Sequence, residues 1–226
     1  ISAAVAASIS LTVWDVAHIP TTYGGAVNHR LKMIGLCQGD LTTIKPAEAA
    51  QFLIISCLPG DYTPSAGSLI GAIQTAWGIN VGQMAANPAA DYRSDLHCWI
   101  SQPFSSLQPS KTVPYTQLIC LESTGANAVA WIPGVFSAIQ RYVPSPPPIP
   151  ETGATIASAL LSTGGAGADP VQVLTALFNG CQTLMTAGPG YNLTCLRIDV
   201  FNPALQGPLV AAFDQLKPAA PAAMGA

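Results

Sequence analysis

The chain reads as a three-layer α/β fold. Short apolar runs rich in β-branched residues alternate along it with stretches of helical periodicity. Several of those runs are apolar on both faces, as strands covered by helices on either side are. The predicted strands are 10–16, 32–38, 52–57, 97–100, 117–122, 155–161 and 193–201, and the predicted helices 68–77, 128–142, 170–186 and 204–216.

The opening stretch 1–13 is apolar but broken by Ser2, Ser8, Ser10 and Thr12. It lacks the basic flank and the ~20-residue length of a membrane anchor or signal, so it reads as a first strand with a frayed start. The runs 32–38 and 52–57 follow, the second feeding a turn-rich segment and then a helix with Leu69, Ile70, Ala72 and Ile73. The strands 97–100 and 117–122 lead to the helix 128–142. The stretch 143–152 holds Pro144, Pro146, Pro147, Pro148 and Pro150, an extended connector that cannot be helical. Beyond the strand 155–161, the residues Val171, Leu174, Leu177, Phe178, Cys181 and Leu184 make a helical stripe. Asp169 is its natural N-cap, Pro170 sits at its first position, and Gly188 and Gly190 end it. The strand 193–201 and the helix 204–216 complete one domain over 1–216, and the Ala- and Pro-rich segment 217–226 reads as a tail or linker.

Composition narrows the function. Half of the 226 residues are hydrophobic and 8% are charged, the reverse of a disordered chain. Eight Lys and Arg with a net charge of −3 cannot make a phosphate-tracking surface, so neither nucleic acid nor an acidic membrane is an expected partner. Any anionic ligand must be held by something other than cationic side chains. The low charge fits a domain of a longer chain whose surface is partly covered, and a compositional bias toward Ala, Gly and Pro accounts for it equally well; the start at Ile1 fits a fragment or a processed chain. The six cysteines are scattered, form no CxxC pair and sit mostly in apolar runs. They read as buried thiols of a protein in the reducing cytoplasm, with no structural metal and no cofactor expected. Asn192-Leu193-Thr194 matches a glycosylation sequon but begins a core strand, and is read as chance.

Three segments at predicted strand ends carry the chemistry. Ser162-Thr163-Gly164-Gly165-Ala166-Gly167 lies between a buried strand and the strong helix at Asp169. A glycine-rich turn there exposes backbone N–H groups, and a helix N-terminus adds about half a positive charge, so a pyrophosphate can be held without Lys or Arg. It is not a Walker A loop, because the Gly-Lys-Ser/Thr ending is missing. The segment 59–68 also follows a strand and opens a helix. Ligands of α/β sheets gather at such carboxyl ends. The third is Cys37-Gln38-Gly39-Asp40-Leu41-Thr42, where Asp40 can accept from an adenine amino group or simply cap a turn.

The order and content of these loops resemble the macro domain family, which binds ADP-ribose and related nucleotides. Gln38-Gly39-Asp40-Leu41-Thr42 is similar to the family's Gly-Asp-Ile-Thr segment, Gly67-Ser68-Leu69-Ile70-Gly71-Ala72-Ile73 to its Gly-Gly-Val-Asp-Gly-Ala-Ile segment, and 162–167 to its Ser-Thr-Gly-x-x-Gly diphosphate loop. Val200-Phe201-Asn202 matches a strand end where an aromatic residue lies beside adenosine. The resemblance runs from about Lys32 to Phe213. It implies a mixed central sheet of about six or seven strands with helices on both faces. It also implies a ligand-binding set of Asp40 and Leu41 at adenine, Ser65, Gly67, Ser68 and Ile70 at the distal ribose, Ser162, Thr163, Gly164, Gly165, Ala166 and Gly167 at the pyrophosphate, and Phe201 and Asn202 at adenosine.

The departures bear on activity. Hydrolytic relatives carry Asn-Ala-Ala-Asn where this chain has Ser56-Cys57-Leu58-Pro59, and an aspartate where it has Ile70. Without that carboxylate no group is evident to orient a water at the distal ribose. The aromatic that covers the pyrophosphate is replaced by Ala166 or Ala168. No catalytic residue is assigned. The expected function is a module that recognises ADP-ribose or a cyclic or modified form of it, as a sensor or targeting piece attached to other domains of a longer chain. The segment 80–104 has no counterpart in a minimal macro domain, and its Tyr92, Arg93, His97 and Trp99 are candidates to line or lid the pocket. Two other readings stay open: an interaction module without ligand, and an ADP-ribosyl hydrolase with a different catalytic set. A cysteine hydrolase with Cys57 as nucleophile and His97 or His29 as base is a weaker alternative.

Overall fold

The computed structural model describes residues 11–19, 32–107, 113–142, 154–186 and 193–218. His29, the connector 143–152, the glycines at 188 and 190, Asn192 and the tail past 218 lie outside them.

Among the described residues eight strands follow one another: β1 (Thr12–Ile19), β2 (Lys32–Gln38), β3 (Ala50–Cys57), β4 (Ala90–Tyr92), β5 (Cys98–Ile100), β6 (Tyr115–Glu122), β7 (Ala154–Ala159) and β8 (Leu193–Val200). They form one sheet in the order β1-β2-β8-β7-β3-β6-β5-β4. Neighbours from β2 through β8, β7 and β3 to β6 are parallel, and the pairs β1–β2, β6–β5 and β5–β4 are antiparallel. The sheet is mixed, as the resemblance implies, and wider than expected by the edge strand β4. That strand has no apolar run to betray it: Asp91 is its middle residue. It forms by pairing with β5, and Arg93 Nε turns back onto Asp91 Oδ1 at 2.9 Å.

The helices are α1 (Leu69–Trp77), α2 (Val81–Ala86), α3 (Arg93–Leu96), α4 (Phe104–Leu107), α5 (Ala128–Tyr142), α6 (Pro170–Thr186) and α7 (Gln206–Leu216). α5 and α6 occupy the predicted spans. Asp169 caps α6, its Oδ1 accepting from Gln172 N at 2.8 Å. α7 starts later than periodicity suggests, because Pro203–Leu205 forms a 3-10 turn capped by Asn202 Oδ1 on Ala204 N at 3.0 Å. α2, α3 and α4 are too short for a helical period to show in sequence.

The core lies in two layers, one on each face of the sheet. On one side Phe52 and Ile54 of β3 and Ile119 and Leu121 of β6 pack with α5, α6 and α7. On the other, Leu53, Ile55, Leu118 and Cys120 pack with Ile70, Ile73 and Trp77 of α1 and with residues of α2 and α4. Each fully buried Phe, Leu or Ile contributes about 1.5–3 kcal/mol, so burial on both faces is what holds the central strands. Parallel pairing places the ends of β2, β8, β7, β3 and β6 along one edge, where the loops gather.

Candidate functional site

A cleft of about 920 Å³ opens at the carboxyl ends of β2, β8 and β7. Its walls come from residues 39–42 after β2, 199–202 at the end of β8, Ala159, Leu160, Thr163 and Gly164 after β7, and the loop 64–68 with one face of α1. Segments far apart in sequence meet because their strands are neighbours in the sheet.

The first wall is a tight turn. Asp40 Oδ1 accepts from Thr42 N at 2.8 Å and from Thr42 Oγ1 at 2.7 Å, and Gly39 N donates to Val200 O at 3.2 Å. Leu41 is buried, with its carbonyl accepting from Tyr115 Oη at 3.0 Å. Asp40 therefore spends one oxygen on the geometry of its own loop. Phe201, at the end of the neighbouring strand β8, also lines the cleft and is 79% exposed beside Asn202.

The loop before α1 supplies Ser65, Gly67 and Ser68. Gly67 adopts φ +81°, where a side chain is strained. Ser68 caps the helix, its Oγ accepting from Gly71 N at 3.0 Å. A Cβ at Gly71 would lie 2.3 Å from Ser65 O, so the close fold of this loop onto the helix needs glycine there. The phase of α1 corrects one expectation: Ile70 shares a face with Ile73 and Trp77 and lies in the core, while Leu69, Ala72 and Ala76 turn to the cleft.

The glycine-rich loop is held from three sides. Ser162 N donates to Ser56 Oγ at 2.7 Å, its hydroxyl lies 2.8 Å from Ser123 Oγ, and its φ is +57°. Gly167 N donates to Gly164 O at 3.0 Å and Ala168 N to Ser162 O at 2.9 Å. A Cβ at Gly125 would meet Ala166 O at 1.8 Å, so the segment after β6 packs backbone to backbone against the loop. The amides of Ser162 and Gly167 are thus used inside the protein. Thr163 and Gly164 face the cleft, but Ser162, Gly165, Ala166 and Gly167 are not part of its wall. The helix whose N-terminus borders the cleft is α1, not α6.

Among the described residues no Lys, Arg or His lines the cleft; the acidic residues in its lining are Asp40 and Asp199. Sequence reasoning missed Asp199. It lies on β8 with Arg197, both on the face opposite the apolar residues Leu196, Ile198 and Val200. Arg197 Nε donates to Asp199 Oδ2 at 2.8 Å, and Arg197 Nη1 to Glu48 O at 2.7 Å. Burial pushes the Asp199 carboxyl up to about 6, against the pull of Arg197. The alternation of two charges with Leu196, Ile198 and Val200 was the available signal.

The residues of the segment 80–104 lie elsewhere. Trp99 is fully buried, and the His97 ring stacks on Trp131 with centroids 3.7 Å apart. Arg93 bonds Asp91 and Tyr62, and Tyr62 in turn donates to Glu122. None of Tyr92, Arg93, His97 and Trp99 lines the cleft. Cys57 has the Cys120 thiol as its neighbour, with sulfurs 3.4 Å apart, which gives no support to a Cys–His pair. Among the described residues no group of three or more His, Cys, Asp or Glu is placed to hold a metal, and no helix is long and apolar enough to cross a membrane.

No protein-family model matches the sequence, and no curated protein matches it. Solved structures do resemble it. The Oceanobacillus iheyensis macrodomain with ADP superposes with a TM-score of 0.57 at 12% identity, over 89% of this chain and 97% of that one. The Trypanosoma brucei macrodomain in complex with ADP gives 0.56 at 12% identity, over 80% and 68%. The same Trypanosoma protein in complex with ADP-ribose gives 0.53 at 12% identity, over 80% and 68%. Likeness of this kind, at such low identity, rests on backbone architecture, and it agrees with the sheet order and the two helical layers: the chain has the macrodomain fold.

Proposed function

We propose that the chain binds ADP-ribose or a close derivative in the cleft at the ends of β2, β8 and β7. The observation that carries this reading is the cleft itself: about 920 Å³, walled by backbone-rich loops, with no cationic side chain among the described residues of its lining. The volume lies within the about 300–1,000 Å³ of small-molecule sites. A pyrophosphate fits such a site if backbone N–H groups and a helix N-terminus replace Lys and Arg. Thr163, Gly164 and the start of α1 are the elements in place for that. Structures of the same fold hold ADP and ADP-ribose, which supports the ligand class.

Recognition without turnover is the reading we favour. Where the resemblance places a catalytic aspartate, this chain has Ile70, and Ile70 is in the core. A cyclic or modified ADP-ribose, and a role as a sensor or targeting domain over 1–216 of a cytoplasmic protein, extend the proposal.

Isothermal titration calorimetry with ADP-ribose, cyclic ADP-ribose, NAD and ATP in one buffer tests it. Saturable binding of an ADP-ribose form supports the proposal, and incubation of that complex separates a reader from a hydrolase. A folded sample that gives no heat with any of the four defeats it and leaves an interaction module as the better reading.

A further inference from the structure

Cys57 and Cys120 meet where the glycine-rich loop is anchored. Cys120 Sγ donates to Cys57 Sγ at 3.4 Å. Cys120 is fully buried on β6, whereas Cys57, the last residue of β3, is partly exposed and leads into the exposed turn at Leu58, Pro59 and Gly60. Burial, reinforced by the contact with Cys57, raises the Cys120 thiol well above its ordinary value. Paired thiols of which one is partly exposed and the other shielded have the arrangement of an attacking and a resolving cysteine.

The same strand end holds the loop. Ser56 Oγ accepts from Ser162 N at 2.7 Å, Cys57 O accepts from Ser123 N at 2.9 Å, and Ser123 Oγ lies 2.8 Å from Ser162 Oγ. Both supports of Ser162 therefore run through residues 56 and 57. The register with β6 sets Cys57 opposite Glu122 and Cys120 opposite Ile55, so the thiols lie on a diagonal two residues long. A disulfide brings its sulfurs to about 2 Å. Closing one here draws the end of β3 toward Cys120, and Ser56 Oγ and Cys57 O move with it. The ladder of β3 with β7 runs from Phe52 to Ile54 and does not reach that end.

We propose that Cys57 and Cys120 are a redox modification site: a peroxide oxidises Cys57, Cys120 resolves it as a disulfide, and the new bond loosens the glycine-rich loop. In the first step the Cys57 sulfur attacks one peroxide oxygen. An S–O bond forms, the O–O bond breaks, and the departing hydroxide leaves as water with the proton that Cys57 gave up. In the second the Cys120 sulfur attacks the Cys57 sulfur. An S–S bond forms, the S–O bond breaks, and the departing hydroxide takes the Cys120 proton as a second water. Two thiols lose two electrons and one peroxide is reduced to two waters. The effect on a ligand rests on the nucleotide-binding reading, because Thr163 and Gly164 of the loop line the cleft; the bond and the loosening do not.

Hydrogen peroxide on the full chain tests this, read by peptide mapping and amide hydrogen exchange. Peroxide should link the peptide holding Cys57 to the one holding Cys120, with a mass lower by two hydrogens. Exchange over 162–167 should speed up at least about fivefold, and dithiothreitol should restore both. Absence of the link overturns the proposal, as does a link that leaves the exchange unchanged. Cys57→Ser should lose both responses, and Cys195→Ser, at the other partly exposed thiol, should keep them. Faster loop exchange under peroxide in a folded Cys57→Ser, or its loss in a folded Cys195→Ser, also overturns the proposal. Calorimetry separates it from the binding reading: affinity for ADP-ribose should fall at least about fivefold in the linked form. Equal binding by both forms defeats the control of the cleft by this pair. No binding by either form defeats the binding reading, and the link and the exchange still decide the redox site.

Discussion

The hydroxyls of Ser123 and Ser162 lie 2.8 Å apart, joining the end of β6 to the first residue of the glycine-rich loop. Ser162 also donates its N–H to Ser56 Oγ on β3 at 2.7 Å. The loop after β7 is therefore set by the strand β3 beside it and by the segment after β6. Ser56→Ala removes the acceptor and leaves a half-buried N–H unpaired, at a cost of about 1–3 kcal/mol. For a domain of this size the thermal midpoint should fall by roughly 2–12 °C, with weaker ADP-ribose binding as the loop loosens. Scanning calorimetry checks the first, and an unchanged midpoint contradicts this account of the loop.

Gly164 faces the cleft with open space around it: a Cβ there meets nothing within 4 Å. Gly164→Glu should fold normally and put a carboxylate where the proposed pyrophosphate would sit. We expect a loss of at least about 100-fold in affinity with a thermal midpoint within about 2 °C of wild type. Wild-type affinity in the folded variant removes the phosphate role of this loop.

Phe201 is 79% exposed, so its ring contributes little to the core. Phe201→Ala should change stability by less than about 0.5 kcal/mol. Stacking of a base on an aromatic ring is worth about 1–3 kcal/mol, so affinity for ADP-ribose should fall by about 5- to 150-fold. Titration of the variant decides it: an affinity equal to wild type means the base does not sit on this ring.

Asp199 predicts a pH dependence with a definite sign. Burial raises its carboxyl from 3.8 to about 6; Glu48 reinforces the rise and Arg197 opposes it. Between those values the folded chain keeps a proton that the unfolded chain has released, so this group's contribution to stability falls as pH rises from about 4 to about 6 and is flat above. The size is on the order of 3 kcal/mol. Urea denaturation of wild type and Asp199→Asn at several pH values isolates it, since other carboxylates cancel in the difference. A wild-type minus variant difference that does not change across this window contradicts the shift.

Much of the fold was legible in sequence because burial on two faces leaves a pattern. The run Phe52–Ile55 is apolar at successive positions, and its residues alternate between the two core layers. α6 announced itself through Asp169, Pro170 and a regular stripe. β4 was invisible, because three residues around Asp91 become a strand only when β5 offers them an edge. The site was legible as three loops in order. Which residues of a loop face the cleft was not: Ile70 and Ala72 read alike until the phase of α1 is known.

The sequence by itself determined the strand–helix alternation, the loops at strand ends and the absence of a cationic phosphate surface, because local propensity, period and composition are properties of neighbouring residues. Only the tertiary structure decided that the ends of β2, β8 and β7 share one cleft and that Asp199 is buried beside Arg197 at its edge. Strand order and the burial of a single carboxylate come from pairings between residues distant along the chain, and no local pattern records them.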